Sequence, residues 1–254
     1  LKTAATGVLD LPVKLAARFY PDFEKRVYSV KGLKASVAMI EMIADGLVDM
    51  SRENIFVKAD ASIDDQPVRE VTGYFGNNFP ILKKLKTDAR ISLDAHCDGY
   101  YVAQTKELPK MSVHLSIPDS KVGWEGIDEE GRMDLDATAF VSDGKLVTDI
   151  EDLCFHIGGA DIQLKGSAND LLAGDPLMNI DSKLHLKLDS LVRFLPEDLG
   201  ITASGNLDGN LKGGFILSQL DIYNFGESGL SGRLVSDGIR IRDPKDSINA
   251  FLGS

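Results

Sequence analysis

Apolar and polar residues alternate most plainly between Asn179 and Leu217. Ile180, Leu184, Leu186 and Leu188 share one phase, while Asp181, Lys183, His185, Lys187 and Asp189 take the other, the signature of a strand with one dry and one wet face. The same rule runs from Ile201 to Phe215, where Ile201, Ala203, Gly205, Leu207, Gly209, Leu211, Gly213 and Phe215 alternate with polar residues. Between the two, Leu191, Phe194 and Leu195 fall at i, i+3 and i+4, behind Asp189 or Ser190 as N-cap and ahead of Pro196. That spacing predicts one or two turns of helix. Strand, short helix, long strand is therefore a unit to seek elsewhere.

A second copy reads from Phe79 to Asp98. Ile81, Leu82 and Leu85 form a helical stripe after Asn77-Asn78, and Ile91, Leu93, Ala95 and Cys97 then alternate with polar residues. Met111, Val113, Leu115 and Ile117 continue it as Leu230, Gly232 and Leu234 continue the first unit, which points to an internal repeat. Short strands are expected over Met133–Ala139, Lys145–Ile150, Leu153–Ile157 and Ile162–Gly166, with turns at Ser142-Asp143-Gly144 and Gly158-Gly159-Ala160. Upstream, a meander from Val27 to Ile63 has expected turns at Asp45-Gly46, Ser51–Asn54 and Asp64–Pro67. Residues Leu1 to Phe23 fit either a helix or an extended edge, limited by Pro12 and Pro21. The expected fold is mainly β: a long curved antiparallel sheet of meander topology, a groove or half-open barrel, with a few short helices. It forms one region over residues 1–254, with a soft boundary near 66–76.

Composition narrows the function classes. A chain of 254 residues that is 43% hydrophobic can bury a core, and a formal charge of −11 argues against a nucleic-acid partner. The longest apolar run, Ala35–Val48, contains Glu41 and Asp45, so no span of membrane length is read. Because the sequence begins at Leu1 without a signal-type segment, it is expected to be a piece of a longer protein, which leaves room for an anchor or signal outside it. Cys97 and Cys154 fall on opposite phases and lack metal-ligand spacing, so two free thiols are the default reading.

The search for chemistry returns little. His96, His114, His156 and His185 all stand on polar phases, with no HxH or HExxH spacing, and read as surface or edge histidines. The serines near Gly226–Gly232 lack Gly-x-Ser-x-Gly spacing, and no glycine-rich loop opens a helix. A glycan-cleaving carboxylate pair among Asp128, Glu129, Glu130, Asp134 and Asp136 is the one enzymatic alternative, weighed against ordinary solvated turns. The reading is non-enzymatic, with no catalytic residue, metal or cofactor.

The dry face carries more information. Gly205, Gly209 and Gly213 separate Leu207, Leu211 and Phe215, so the apolar strip is furrowed. Sheet curvature over a packed core explains this, and so does an apolar surface left open for an extended ligand. On the second reading the groove residues are Ile180, Leu184, Leu186, Leu188, Ile201, Leu207, Leu211 and Phe215. A 15-residue strand spans roughly 50 Å at about 3.3 Å per residue, against about 15 Å for one acyl chain.

Three runs carry a resemblance to a known family: Leu184–Pro196 (LHLKLDSLVRFLP), Gly205–Gly213 (GNLDGNLKG) and Gly229–Pro244 (GLSGRLVSDGIRIRDP). This text resembles the AsmA-like family of Gram-negative bacteria over about Asp134–Asn249, and more weakly over Phe79–Gly126. The resemblance implies a periplasmic protein of outer-membrane biogenesis, anchored to the inner membrane by a segment absent from this chain. It also implies a β groove that binds or conducts phospholipid acyl chains, with outer-membrane assembly proteins as further partners. The alternative is a structural docking scaffold that assists outer-membrane protein assembly through an exposed sheet edge.

Overall fold

The computed structural model describes residues 13–37, 40–69, 84–125, 127–142, 144–169, 175–194, 200–216, 229–243 and 248–252. Period-two patterning dominates these residues, and the chain folds accordingly: 81% is strand, in one antiparallel sheet that does not close into a barrel. The strands are β1 (Val13–Asp22), β2 (Val27–Val37), β3 (Ile40–Asp49), β4 (Ile55–Pro67), β5 (Leu85–Thr87), β6 (Arg90–Tyr101) and β7 (Lys110–Trp124). They continue as β8 (Ile127–Ser142), β9 (Lys145–Ile157), β10 (Ala160–Asn169), β11 (Leu177–Lys187), β12 (Thr202–Ile216), β13 (Leu230–Asp243) and β14 (Ile248–Leu252). Each pairs with its neighbour in sequence, except that β4 pairs directly with β6 and the short β5 joins β7. Among the described residues β1 and β14 are the two ends of this path.

Several turn expectations are corrected by bulges, in which an extra residue bends a strand without ending it. Asp45-Gly46 lies inside β3, where the Asp45 carboxylate accepts the Gly32 N–H at 2.7 Å across a bulge in β2. Residues 64–67 likewise belong to β4, whose bulge between Ile63 and Gln66 places Asp65 at φ 48°. Residues 145–157, expected as two strands, form the single strand β9, with a bulge skipping Glu151. Gly158-Gly159 does make the expected two-residue hairpin, both at positive φ (50° and 88°), as the right-handed twist of the flanking strands requires. Of the open alternatives at the N-terminal end, residues 13–22 take the extended edge.

The segments that follow β4 and β11 leave from the same end of the ladder. After β11 comes the helical turn α1 (Leu188–Leu191), continued by a 3₁₀ turn over Val192–Phe194. Its N-cap is Lys187 rather than Asp189 or Ser190, and Leu195 and Pro196 lie outside the described residues. In the earlier unit, Leu85 is a β5 strand residue and not part of a helical stripe; Ile81, Leu82 and Asn77-Asn78 lie outside the described residues.

No large side chain among the described residues is fully buried. The buried apolar residues are mostly small, such as Ala35, Ala89, Ala160 and Ala168, with Val122, Ile157, Phe215 and Ile239. The chain exposes 17069 Å², against about 11,000 Å² for a compact monomer of its mass. The described strands form a single layer.

Candidate functional site

Cross-strand register decides what lies on each face, because partners in an antiparallel ladder project to the same side. One row runs Ile63, Leu93, Leu115, Ala137, Ile150, Gly166 and Ile180 over β4 to β11, crossing every intervening strand of the ladder. The next row along the strands holds Leu135, Leu153, Leu164, Ser182, Leu211 and Gly232, and the one after it Met133, Phe155, Ile162, Leu184, Gly209 and Leu234. The apolar phases of separate strands thus merge into one surface, and most of its large side chains stay half-buried. Twelve steps of about 4.8 Å between the 13 strands of the main path give roughly 58 Å along the curve.

Six of the expected groove residues meet on this surface. Ile180, Leu184 and Leu186 on β11 share a face with Leu207, Leu211 and Phe215 on β12. Leu188 opens α1 and Ile201 precedes β12, so both stand at the end of the wall beside the helical turn. The glycine furrow is filled from the sides. Gly213 faces Ile180, Leu211 faces the small Ser182, and a methyl group on Gly209 would lie 2.6 Å from Leu234 and 3.1 Å from Leu184. Small residues on β12 therefore make room for large neighbours. Gly205 has a backbone reason: at φ 101° it faces a bulge of β13, where Gly238 and Ile239 oppose it, and a methyl on it would lie 2.8 Å from the Asp237 carbonyl oxygen.

The helical turn caps one end of the wall. Phe194 meets the edge of Trp124 with ring centroids 5.9 Å apart, and a methyl on Gly158 would lie 2.7 Å from the Phe194 ring. Ser190 is buried against Gly159. The Arg193 guanidinium reaches Glu129 at 3.4 Å and fastens the turn to β8.

The opposite face is polar. Every histidine meets an aspartate of an adjacent strand: His96 with Asp60 at 2.6 Å, His114 with Asp136 at 2.8 Å, His185 with Asp208 at 2.6 Å, and His156 with Asp161. These are exposed pairs, and the sequence could not reveal them because they depend on register. Asp181 receives Lys212 Nζ at 2.7 Å, which lowers the carboxyl and raises the ammonium from their ordinary values.

Asp134, Asp152 and Cys154 bring three potential ligand atoms within 4.8 Å of one another. Burial, then Asp152 and Asp119, push the Asp134 carboxyl up; burial, then Asp134 and Asp152, push the Cys154 thiol up. Lys165 lies 3.9 Å from Asp152 and partly offsets the charge. Of the other carboxylates named above, Glu129 is held by Arg193 and Glu130 by Lys121 at 3.3 Å. Cys97 and Cys154 are unbonded, on the apolar and polar faces respectively.

No protein-family model, curated protein or solved structure matches this chain. Among the described residues no helix is long and apolar enough to cross a membrane. Sequence reasoning missed most of the wall, from Leu93 on β6 to Leu164 on β10, since it located the groove in one strand pair. The available signal was the apolar phase of each strand, which register joins into a surface.

Proposed function

We propose that the chain is a non-enzymatic lipid-binding protein that holds phospholipid acyl chains along its apolar sheet face. The supporting observation is one continuous apolar surface across the open sheet, with no large side chain fully buried among the described residues. Among the described residues most of the large side chains of this surface stay only half-buried, and an apolar surface of this extent left in contact with water marks an interaction site. Each CH₂ of a chain lying on it contributes about 0.8 kcal/mol before association costs. The AsmA-like resemblance supports the setting: a periplasmic protein of outer-membrane biogenesis, tethered to the inner membrane by a segment outside this chain. Native mass spectrometry of the purified protein tests the reading. Bound phospholipid, displaced by detergent, is expected; lipid-free protein after incubation with phospholipid would refute it.

A second reading draws on the open edges. Among the described residues β1 and β14 each pair on one side alone, and the other side offers backbone groups to strands of another protein. In that case the same spectra would show a protein complex without lipid.

A further inference from the structure

Charge and aromatic exposure single out the edge hairpin. Residues 13–37 carry six basic and two acidic side chains, a net +4, in a chain whose total is −11. The remaining residues therefore sum to −15. Register sorts the hairpin into two faces. Lys14, Arg18, Tyr20, Lys31 and Lys34 project to the polar side, and Lys31 Nζ sits 6.0 Å above the Tyr20 ring. Leu15, Phe19 and Tyr28 project to the apolar side.

Ala35, opposite Leu15, is buried on that apolar side, but the large side chains there on β1 and in the turn are exposed. Leu15 is 71% exposed, Phe19 58% and Phe23 74%. Tyr28 gathers the aromatics, stacking with Phe19 at 6.5 Å and meeting Phe23 edge-on at 6.0 Å. Exposed Leu and Phe beside snorkelling Lys and Arg form the pattern by which peripheral elements lie in a membrane interface. Anionic headgroups complement the basic face, and the acidic remainder of the chain is repelled from the same surface.

We infer that the β1–β2 hairpin docks on the surface of an anionic phospholipid bilayer. Leu15, Phe19 and Phe23 enter the headgroup boundary, and Lys14, Arg18 and Lys31 contact the phosphates. Because Phe19 and Leu15 share a face with the apolar wall, docking places the mouth of that wall at the membrane. This inference rests on the lipid-binding reading for its purpose, but its test is separate.

The test is co-flotation with vesicles of phosphatidylcholine alone or with one-third phosphatidylglycerol. The protein is expected to float with the anionic vesicles, not the neutral ones, and 0.5 M salt should release it. Replacing Lys14, Arg18 and Lys31 together by Gln should weaken binding on the order of 100-fold. Lys58→Gln with Lys183→Gln, on the polar face of inner strands, should leave it unchanged. Equal binding to neutral vesicles, or full binding by the triple variant, would overturn the inference. So would self-association through β1 that the triple variant abolishes while vesicle binding is absent. Uptake of a pyrene-labelled lysophosphatidylcholine below its micelle concentration should persist in the triple variant. Loss of that uptake in the unaltered protein refutes the wall, whereas loss of flotation alone refutes the hairpin.

Discussion

The inner strands and the edge hairpin follow one patterning rule and meet opposite surroundings. Across β6 to β9, residues 90–157 carry six basic and 14 acidic side chains, and the apolar face is half-buried, with the Phe194 turn closing one end. In β1 and β2 the charge is reversed and Leu15, Phe19 and Phe23 stand in the open. The same alternation of dry and wet positions therefore yields a wall in one place and a docking edge in the other. What separates them is neighbours: an inner strand has two, and β1 has one.

Perturbing the wall should produce the largest effects. Leu207→Asp or Leu211→Asp places a carboxylate on the β12 apolar face and is expected to cut binding of a labelled phospholipid at least about tenfold. Circular dichroism should stay strand-like. Matching losses from Leu15→Asp would erase the distinction between wall and edge, since Leu15 should affect vesicle flotation and spare binding of the soluble lipid.

Changes at the cap should cost stability rather than ligand specificity. Gly158→Ala forces a side chain into φ 50° and against the Phe194 ring, and urea titration should show a loss of about 1–3 kcal/mol. Phe194→Ala should cost about 1–2 kcal/mol, less than a fully buried Phe, because the ring is half-buried. Trp124 is the single tryptophan. Its emission should shift red in that variant, and an unshifted spectrum would contradict the packing.

The smallest expected effect is electrostatic. Asp134 has a raised carboxyl because of burial and of Asp152 and Asp119, so its protonated form is favoured by folding. Its contribution to stability is present below the ordinary carboxylate range and is lost as pH rises through the raised value. Asp134→Asn should therefore increase Tm modestly at pH 7, and the gain should vanish as pH falls below about 4. Faster reaction of Cys154 with a thiol reagent should accompany it, since one of the charges that raises the thiol is removed.

Much of the fold was legible because alternation has a period set by backbone geometry. The strands around Ile180–Lys187 and Leu207–Phe215, the Gly158-Gly159 turn and the open meander class all follow from local text. Bulges were not legible. Gly32, Asp65 and Glu151 each insert a residue without a turn signature, so Asp45-Gly46 and residues 64–67 were misread as chain reversals. The site was legible only in part for a related reason. Ile180 and Leu207 can be assigned to dry phases from sequence, but whether Leu93 and Leu153 join the same surface depends on long-range register. The filling of Gly209 by Leu184 and Leu234 depends on it too. The basic hairpin was present in the composition and hidden by the overall acidic charge.

The central claim is that acyl chains lie on the apolar face of the open sheet. A phospholipid with a photoreactive diazirine near its tail terminus, cross-linked to the purified protein and mapped by peptide mass spectrometry, tests it most directly. The account predicts adducts on apolar-face residues such as Leu115, Leu153, Leu184 and Leu207, suppressed by excess unlabelled phospholipid. Adducts confined to the polar face around His114 and His185, or a pattern that competitor does not suppress, would contradict it.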